Sequence, residues 1–535
     1  MTVADSAQQG PARARVVLVA LITSALVANI NLSVANIALP DIGRTFDASQ
    51  TQVNLIALGC TLGLAMSVLY LGALGDRYGR RLLLLLGLGL TIPFSILCAY
   101  APDANVLAAG RILTGIAAGM AFPTTLALIT ALWPFGPKRI AAIALWSGIS
   151  GGGAVLGPVI AGALLEEFWW GSVFLIAVPP AALALVLVLI AVPAHVNEST
   201  EPVDHLSGGL SVLMVAVLVL GLGTISAPGQ FARALAMILV AGLLVAAFGW
   251  RQVRVAYPLY DLRIARRRLF WVPAIAGMIV FGSLMGAMFI GQQYMQDVLG
   301  YSTLNAGLAV LPAALGMMGI ASLSGKVVIS RGSKTALLAG YAFILPAFLL
   351  MLIGWREGAH FVVVGLAYLL IGIGAGMALT PASRSLTGSV PVSHVGMASA
   401  TNDLQRDLGG SVMQAVLGSL LTAGYATAFA QQIAQSPQAA SLSERTQATL
   451  QQSFASAANL AEQYPSYASA ITAAAKESFN AGANWGYAAG AVFVVLGAVL
   501  VIIAFPGKQR EQQLLQAYQH QDAPSPVSPG AVKEA

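Results

Sequence analysis

Charge is what this chain has least of. Only 9% of its 535 residues are Asp, Glu, Lys or Arg, while 57% are hydrophobic. A soluble protein carries roughly 25% charged residues, so water is not the main solvent here. Cysteine is nearly absent, and Cys60 and Cys98 both fall inside apolar runs. That excludes a disulfide framework and reads as two small core side chains. The five histidines (His195, His205, His360, His394 and His520) lie in expected loops or tails without ligand-like spacing, so no metal site is expected. No catalytic constellation is present and no cofactor is expected, which argues against an enzyme. A phosphate-cradling G-x-x-x-x-G-K-S/T loop is also missing, which argues against a pump driven by ATP. The net charge of +6 does not point to nucleic acid, because the basic residues sit in short loops between apolar runs.

Long apolar runs are what the chain has in abundance. A span needs about 20 mostly apolar residues, and that length places helices near 15–39, 52–74, 82–101, 105–131, 139–165 and 170–193. Two more fall near 207–226 and 231–255, and six near 269–298, 303–329, 334–354, 359–381, 395–425 and 483–505. Continuous runs rather than short alternating ones exclude a barrel. The first run follows Arg13 and Arg15 and is longer than a signal-peptide core of about 7–15 residues, so it reads as a retained helix. With the N-terminus inside, only Arg44, Arg233, Arg356, Arg445 and Lys476 fall outside, and Arg111 and Arg406 fall within spans. The other Lys and Arg residues are cytoplasmic, which fits the positive-inside rule, an even number of spans and two cytoplasmic termini. The expected fold is an all-α polytopic membrane protein with 14 transmembrane helices.

Gly72-Ala-Leu74-Gly-Asp76-Arg77-Tyr-Gly79-Arg80-Arg81 lies between the second and third spans. Four charges in a glycine turn belong at a membrane face, and the arginines make that face cytoplasmic. The pattern resembles the signature loop of the major facilitator superfamily of transporters. Gly325…Gly332-Ser333-Lys334 echoes it after the tenth span, with Ile329 where Asp76 would be. Such an echo fits a six-helix unit repeated in parallel.

Further motifs extend the resemblance. Leu107-x-x-x-Arg111-x-x-x-Gly115 is similar to the family's second motif, and Gly153-x-x-x-Gly157-Pro158-x-x-x-Gly162 to its antiporter motif. Trp170 to Pro179 and Tyr294 to Pro312 resemble segments of the fourteen-span drug:proton antiporters, particularly exporters of quaternary ammonium and other cationic compounds. The implied fold is two six-helix bundles, 13–193 and 269–505, with two inserted helices at 207–255. Residues 1–12 and 508–535 are expected to be disordered cytoplasmic tails. Segment 426–482 is expected to be an external helical hairpin: Leu442, Leu450 and Phe454, then Ile471, Ala475 and Phe479, have helical spacing on either side of Pro465.

The residues themselves suggest roles. Gly72 and Gly79 permit a tight turn, and Asp76 can cap a helix or pair with Arg77, Arg80 or Arg81 to hold one conformational state. Gly153, Gly157 and Gly162 leave one face of the fifth helix bare for a close neighbour, and Pro158 bends it. Charges inside the membrane are functional candidates. Arg111 is expected in the cytoplasmic half of the fourth span, and the resemblance implies a part in proton coupling. Asn402-Asp403-Leu-Gln-Arg406-Asp407 puts both carboxylates on one helix face near mid-membrane. They cannot both ionise cheaply, so one is expected neutral and the other paired with Arg406, an arrangement able to load and release a proton. In the first helix, Asn31 and Ser33 stand where the family usually has aspartate and threonine. An amide cannot titrate, so coupling would fall to Asp403 and Asp407, or be weaker or absent, and less strongly cationic substrates are favoured. Asn31 and Asn402 are the candidate cavity residues.

The expected function is secondary active export of amphipathic small molecules by alternating access, in exchange for protons. The partners would be a small-molecule substrate, protons and the lipid bilayer of the plasma or inner membrane, with the chain monomeric. Export of a lipid or natural product with weak coupling is the second reading, and a non-transporting sensor the third.

Overall fold

The structure is a computed structural model that describes residues 11, 13–48, 50–196, 199–225, 230–436 and 442–522. Among these residues every regular element is helical. Fourteen helices are long and apolar enough to cross a membrane. The first six are Ala14–Leu39, Leu55–Tyr78, Arg80–Ala99, Ala104–Leu132, Pro137–Leu165 and Ser172–Ala191; the next two are His205–Thr224 and Phe231–Arg254. The last six are Arg268–Val298, Leu304–Arg331, Ser333–Gly354, Phe361–Gly388, Val392–Gln435 and Ala468–Ala504.

Small residues let these helices approach closely where lipid offers no hydrophobic drive. In the first bundle the second and fourth spans cross at Gly63 and Gly115, whose missing side chains make room for the Ile112 and Cys60 carbonyls. In the second bundle Gly372 meets Ala313 in the same way, and Gly282 and Gly409 bring the ninth and thirteenth spans together. The two bundles meet chiefly where the fifth span lies along the tenth and where the thirteenth lies against the second and fourth. The inserted pair stays peripheral. The seventh span rests on the second, where Tyr70 Oη and His205 Nδ1 are 2.7 Å apart. The eighth rests on the seventh and exposes Leu239, Leu243 and Val253. Asp204 caps the seventh span, and Arg251 of the eighth grips it through both carboxylate oxygens at 2.8 and 3.0 Å.

Four details differ from the sequence reading. The first helix runs beyond Leu39 to Phe46: Val34 keeps right-handed helical angles and its amide donates to the Ile30 carbonyl at 3.1 Å. The thirteenth helix continues to Gln435 and the fourteenth begins at Ala468. The material between them forms two short helices, Glu444–Gln452 and Phe454–Gln463, so Ile471, Ala475 and Phe479 belong to the fourteenth span itself. The segment is anchored by Tyr425 Oη, which donates to the Leu450 carbonyl at 3.1 Å, and by Phe454 edge-on to Phe479. The fourth difference is a correction. Residues 508–521 are not disordered but form a helix whose Glu511 and Leu515 are buried. Residues 1–10, 12 and 523–535 lie outside the described residues.

Candidate functional site

The signature turn is a lock between the bundles. Gly79, at φ 115°, turns the chain so that the third span starts at Arg80. Asp76 and Arg80 are then one helical turn apart and both buried, with Arg80 Nε and Nη2 donating to Asp76 Oδ1 at 3.0 and 2.8 Å. The other half of the lock comes from the second bundle. Both Asp76 oxygens accept from the Gly396 amide, at 3.0 and 2.9 Å, and Arg80 Nη2 donates to the Val392 carbonyl at 2.6 Å. Gly396 is in the first turn of the thirteenth helix, where amides have no partner within the helix and the dipole favours an anion. Asp76 therefore caps, from the other bundle, the helix that carries Asp403 and Asp407. Gly72 and Gly396 make the approach possible, since a side chain at either would collide across the interface. Arg77 and Arg81 face elsewhere, donating to the Ser199 and Leu189 carbonyls at 3.1 and 2.8 Å, so they tie the turn to the sixth span and the segment that follows it.

About two to three turns further along the thirteenth helix lies the polar cluster. Asn402, Asp403 and Arg406 are buried and Asp407 is half-buried. Asn402 accepts from Ser383 Oγ at 2.8 Å and donates to Asp403 Oδ1 at 3.2 Å. The expected ion pair is not formed. Arg406 instead sits between the rings of Phe122 and Phe281, at 4.8 and 4.6 Å, and Nη2 donates to Asn29 Oδ1 at 3.2 Å. A desolvated cation–π contact contributes about 2 kcal/mol, enough to compete with a carboxylate for the guanidinium. Phe122 and Asn29 belong to the first bundle and Phe281 to the second, so Arg406 bridges the bundle interface. Oδ2 of Asp403, Oδ2 of Asp407 and Nε of Arg406 have no hydrogen-bond partner among the described residues.

Arg111 is a second correction. It stands seven residues from Ala104, the end of the fourth span opposite the signature turn, roughly 10 Å along the helix. Buried there, it donates from Nη1 to the Asn31 carbonyl at 2.7 Å and from Nε to the Ile56 carbonyl at 3.3 Å. The Asn31 side chain turns back to its own helix, donating to the Val27 carbonyl at 3.2 Å. Nη2 of Arg111 has no hydrogen-bond partner among the described residues, and the guanidinium lies 5.5 Å from the Phe174 ring. Arg111 thus clamps the first span at Asn31.

Two glycines of the fifth span fulfil the expected close approach: Gly153 is filled by Leu26 and Gly157 by Ser33, both of the first span. Gly162 has nothing within 4 Å and takes no part. Pro158 lies inside the helix, beside Gly157. The sequence reading missed Gly148, Gly151 and Gly152, which accommodate Ala321, Met317 and Met318 of the tenth span. It also missed Asn29, two positions from Asn31 and therefore on the opposite side of the helix.

These features coincide with a known architecture. The Major Facilitator Superfamily pattern matches residues 21–414. The chain belongs to that superfamily. It is 32% identical over 504 residues to the multidrug efflux pump LfrA of Mycolicibacterium smegmatis, covering 94% of this chain and 98% of LfrA. It is 30% identical over 402 residues to the methyl viologen resistance protein SmvA of Salmonella typhimurium, covering 74% and 80%. The tetracenomycin C resistance and export protein of Streptomyces glaucescens is 28% identical over 413 residues, covering 76% and 75%. Among solved structures, the human organic anion transporter MFSD10 superposes with a TM-score of 0.57 at 16% identity, covering 91% of this chain and 98% of that one. The last comparison speaks to the fold alone. This superfamily member is accordingly a multi-pass membrane protein.

Proposed function

We propose that this superfamily member exports amphipathic small molecules across the cell membrane by alternating access, in exchange for protons carried by Asp403 and Asp407. The observation that carries the coupling is that both carboxylates have an unpartnered oxygen beside Arg406, and that this arginine bridges the two bundles. Protonation changes the charge beside Arg406, and the Phe122–Arg406–Phe281 sandwich must separate when the bundles part. Export as the direction, and drugs as the substrate class, draw support from the similarity to LfrA and SmvA. Basic residues concentrated at the signature-turn end support a cytoplasmic location for that end and for both termini. The chain would act as a monomer, since each named contact of the lock and cluster lies within it.

Vesicles containing the purified protein, given an imposed pH gradient, test the proposal with a panel of cationic and neutral amphiphiles that includes ethidium. Gradient-driven ethidium movement should be lost in Asp403→Asn and in Asp407→Asn. Unchanged movement in both would place the coupling elsewhere. The relative named for tetracenomycin C, together with Asn31 in place of an aspartate, keeps natural-product export as the second reading. A preference for neutral over cationic members of the panel would select it.

A further inference from the structure

The turn between the tenth and eleventh spans lacks a carboxylate of its own, and the helix Lys508–Gln521 supplies one. Ile329, where Asp76 would be, is 38% exposed and apolar. Gly332 repeats the geometry of Gly79, with φ 91°, and the eleventh span starts at Ser333. Glu511, only 1% exposed, accepts from the Ser333 amide at 3.0 Å and from Ser333 Oγ at 2.6 Å. It also pairs with Arg384 of the twelfth span, whose Nη1 donates to Ser333 Oγ at 2.9 Å. A side chain at Gly332 would lie 2.9 Å from Lys508 Cβ, so the turn is shaped for this helix. At its other end, Arg267 before the ninth span holds both oxygens of Asp522, at 2.8 and 2.7 Å, and stacks 4.5 Å from the Tyr518 ring.

The helix also reaches the bundle interface. A Cβ on Gly388, at the end of the twelfth span, would lie 3.5 Å from Leu515 and 3.8 Å from Phe135, which precedes the fifth span of the first bundle. Arg139 of that fifth span stacks on Phe135 at 5.5 Å, and Phe135 lies against Gly388, one helical turn beyond Arg384. Arg139 and Arg384 therefore lie at the same end of the bundle interface, and Glu511 is the carboxylate paired with Arg384.

We propose that Glu511 is a positioning residue of the transport cycle. By neutralising Arg384 opposite Arg139 and capping the eleventh span, it permits the cytoplasmic ends of the bundles to close. The helix 508–521 is then part of the transport machinery and not an inert tail. The inference rests on the alternating-access reading above. Its test reads conformation without substrate or gradient, so the two can fail separately.

A cysteine pair at Ala144 and Gly325 reports closure, because a Cβ on Gly325 would lie 3.1 Å from Ala144 Cβ across the interface. The native Cys60 and Cys98 are buried and need not be changed. Oxidation of the otherwise unaltered chain by copper phenanthroline should form the 144–325 disulfide readily. Adding Glu511→Gln should slow its formation at least threefold, while Glu511→Asp should keep most of it. Arg384→Gln combined with Glu511→Gln should restore the rate, since the repulsion with Arg139 goes with Arg384. A helix that merely packs would give a double variant as slow as the single one. That result, or an unchanged rate in Glu511→Gln, overturns the proposal. Should Glu511→Gln alone fail to fold, the double variant decides: folded and cross-linking supports charge compensation, and unfolded overturns it.

Discussion

The two glycine turns that repeat within this chain, 72–81 and 325–334, begin from the same backbone device and end in different attachments. Each has a glycine at positive φ, Gly79 or Gly332, from which the next span starts. The first turn carries its own acid and spends it on the opposite bundle, where Asp76 caps the thirteenth span at Gly396. The second has lost its acid to Ile329 and takes one from Glu511, which caps the eleventh span within the same bundle. The difference shows what a repeated turn requires. A carboxylate at a helix N-terminus is kept, whereas its source and the element it captures are free to change. The first turn joins the two bundles and, under the proposed alternating access, would have to open in each cycle, whereas the second braces its own bundle.

The comparison is broken most severely at Asp76. Asp76→Asn leaves Arg80 buried beside a neutral amide, with the Val196 and Val392 carbonyls still bound at 3.2 and 2.6 Å. Losing one charge of a buried pair costs about 3–5 kcal/mol, and these remaining partners reduce that to about 2 kcal/mol, roughly thirtyfold in the closed-to-open ratio. Folding should survive, and ethidium efflux should fall by about tenfold or more. Efflux at the normal rate would reduce the turn to an anchor.

A smaller effect is expected at Arg406. Arg406→Lys keeps the charge but cannot lie flat between Phe122 and Phe281, so transport should weaken by about threefold to tenfold, corresponding to about 1 kcal/mol of stacking. Equal transport rates in the lysine variant would show that the sandwich is not part of the cycle.

Asn31→Asp should be tolerated. Arg111 Nη2 is unpartnered close to Asn31, so the new carboxylate has a counter-charge available. The variant should shift the substrate panel toward cationic compounds, and loss of folded protein would contradict this arrangement.

The mildest change lies away from both turns, at Asp204. Burial pushes its carboxyl up, but hydrogen bonds from Arg251 and Ser207 outweigh this and hold it down to about 2. A depressed folded-state value stabilises above the unfolded value of about 3.9, and the gain is lost as pH falls toward about 2. Thermal stability should therefore show no contribution from Asp204 to its variation between pH 5 and 8. Asp204→Ala should lower stability by about 1 kcal/mol, the usual cost of a lost helix cap, with transport intact.

Much of this fold was legible in the sequence because apolar length is a local property. Fourteen runs could be read without knowing what each packed against. The ends of the thirteenth and fourteenth helices were hidden because 426–435 is rich in Ala and Gln and 468–482 mixes Ala with Ser, Thr, Lys, Glu and Asn, a composition that allows helix without the hydropathy of a span. The terminal helix was masked by the prolines beyond residue 522. Its signal was the spacing of Glu511, Leu515 and Tyr518, four and then three apart on one face. At the site, Asp76 stood out in its glycine-rich turn between two spans, and the Asp403 cluster as charges inside an apolar run. The aromatic seat of Arg406 did not, because Phe122 and Phe281 come from spans far apart in the chain. Arg111 was assigned to the wrong half because the fourth span runs back toward the signature turn, so its early residues lie at the far end.

The thirteenth helix begins at the contact with Asp76 and carries Asp403 about 10 Å further along, so one helix joins that contact to the proposed proton site. Proton release on substrate binding, measured in weakly buffered detergent solution with ethidium added to the purified protein, tests that union most directly. The wild-type chain should release protons near neutral pH, and the Asp403→Asn, Asp407→Asn double variant should bind ethidium with no release. Equal release from both would contradict coupling through the thirteenth span.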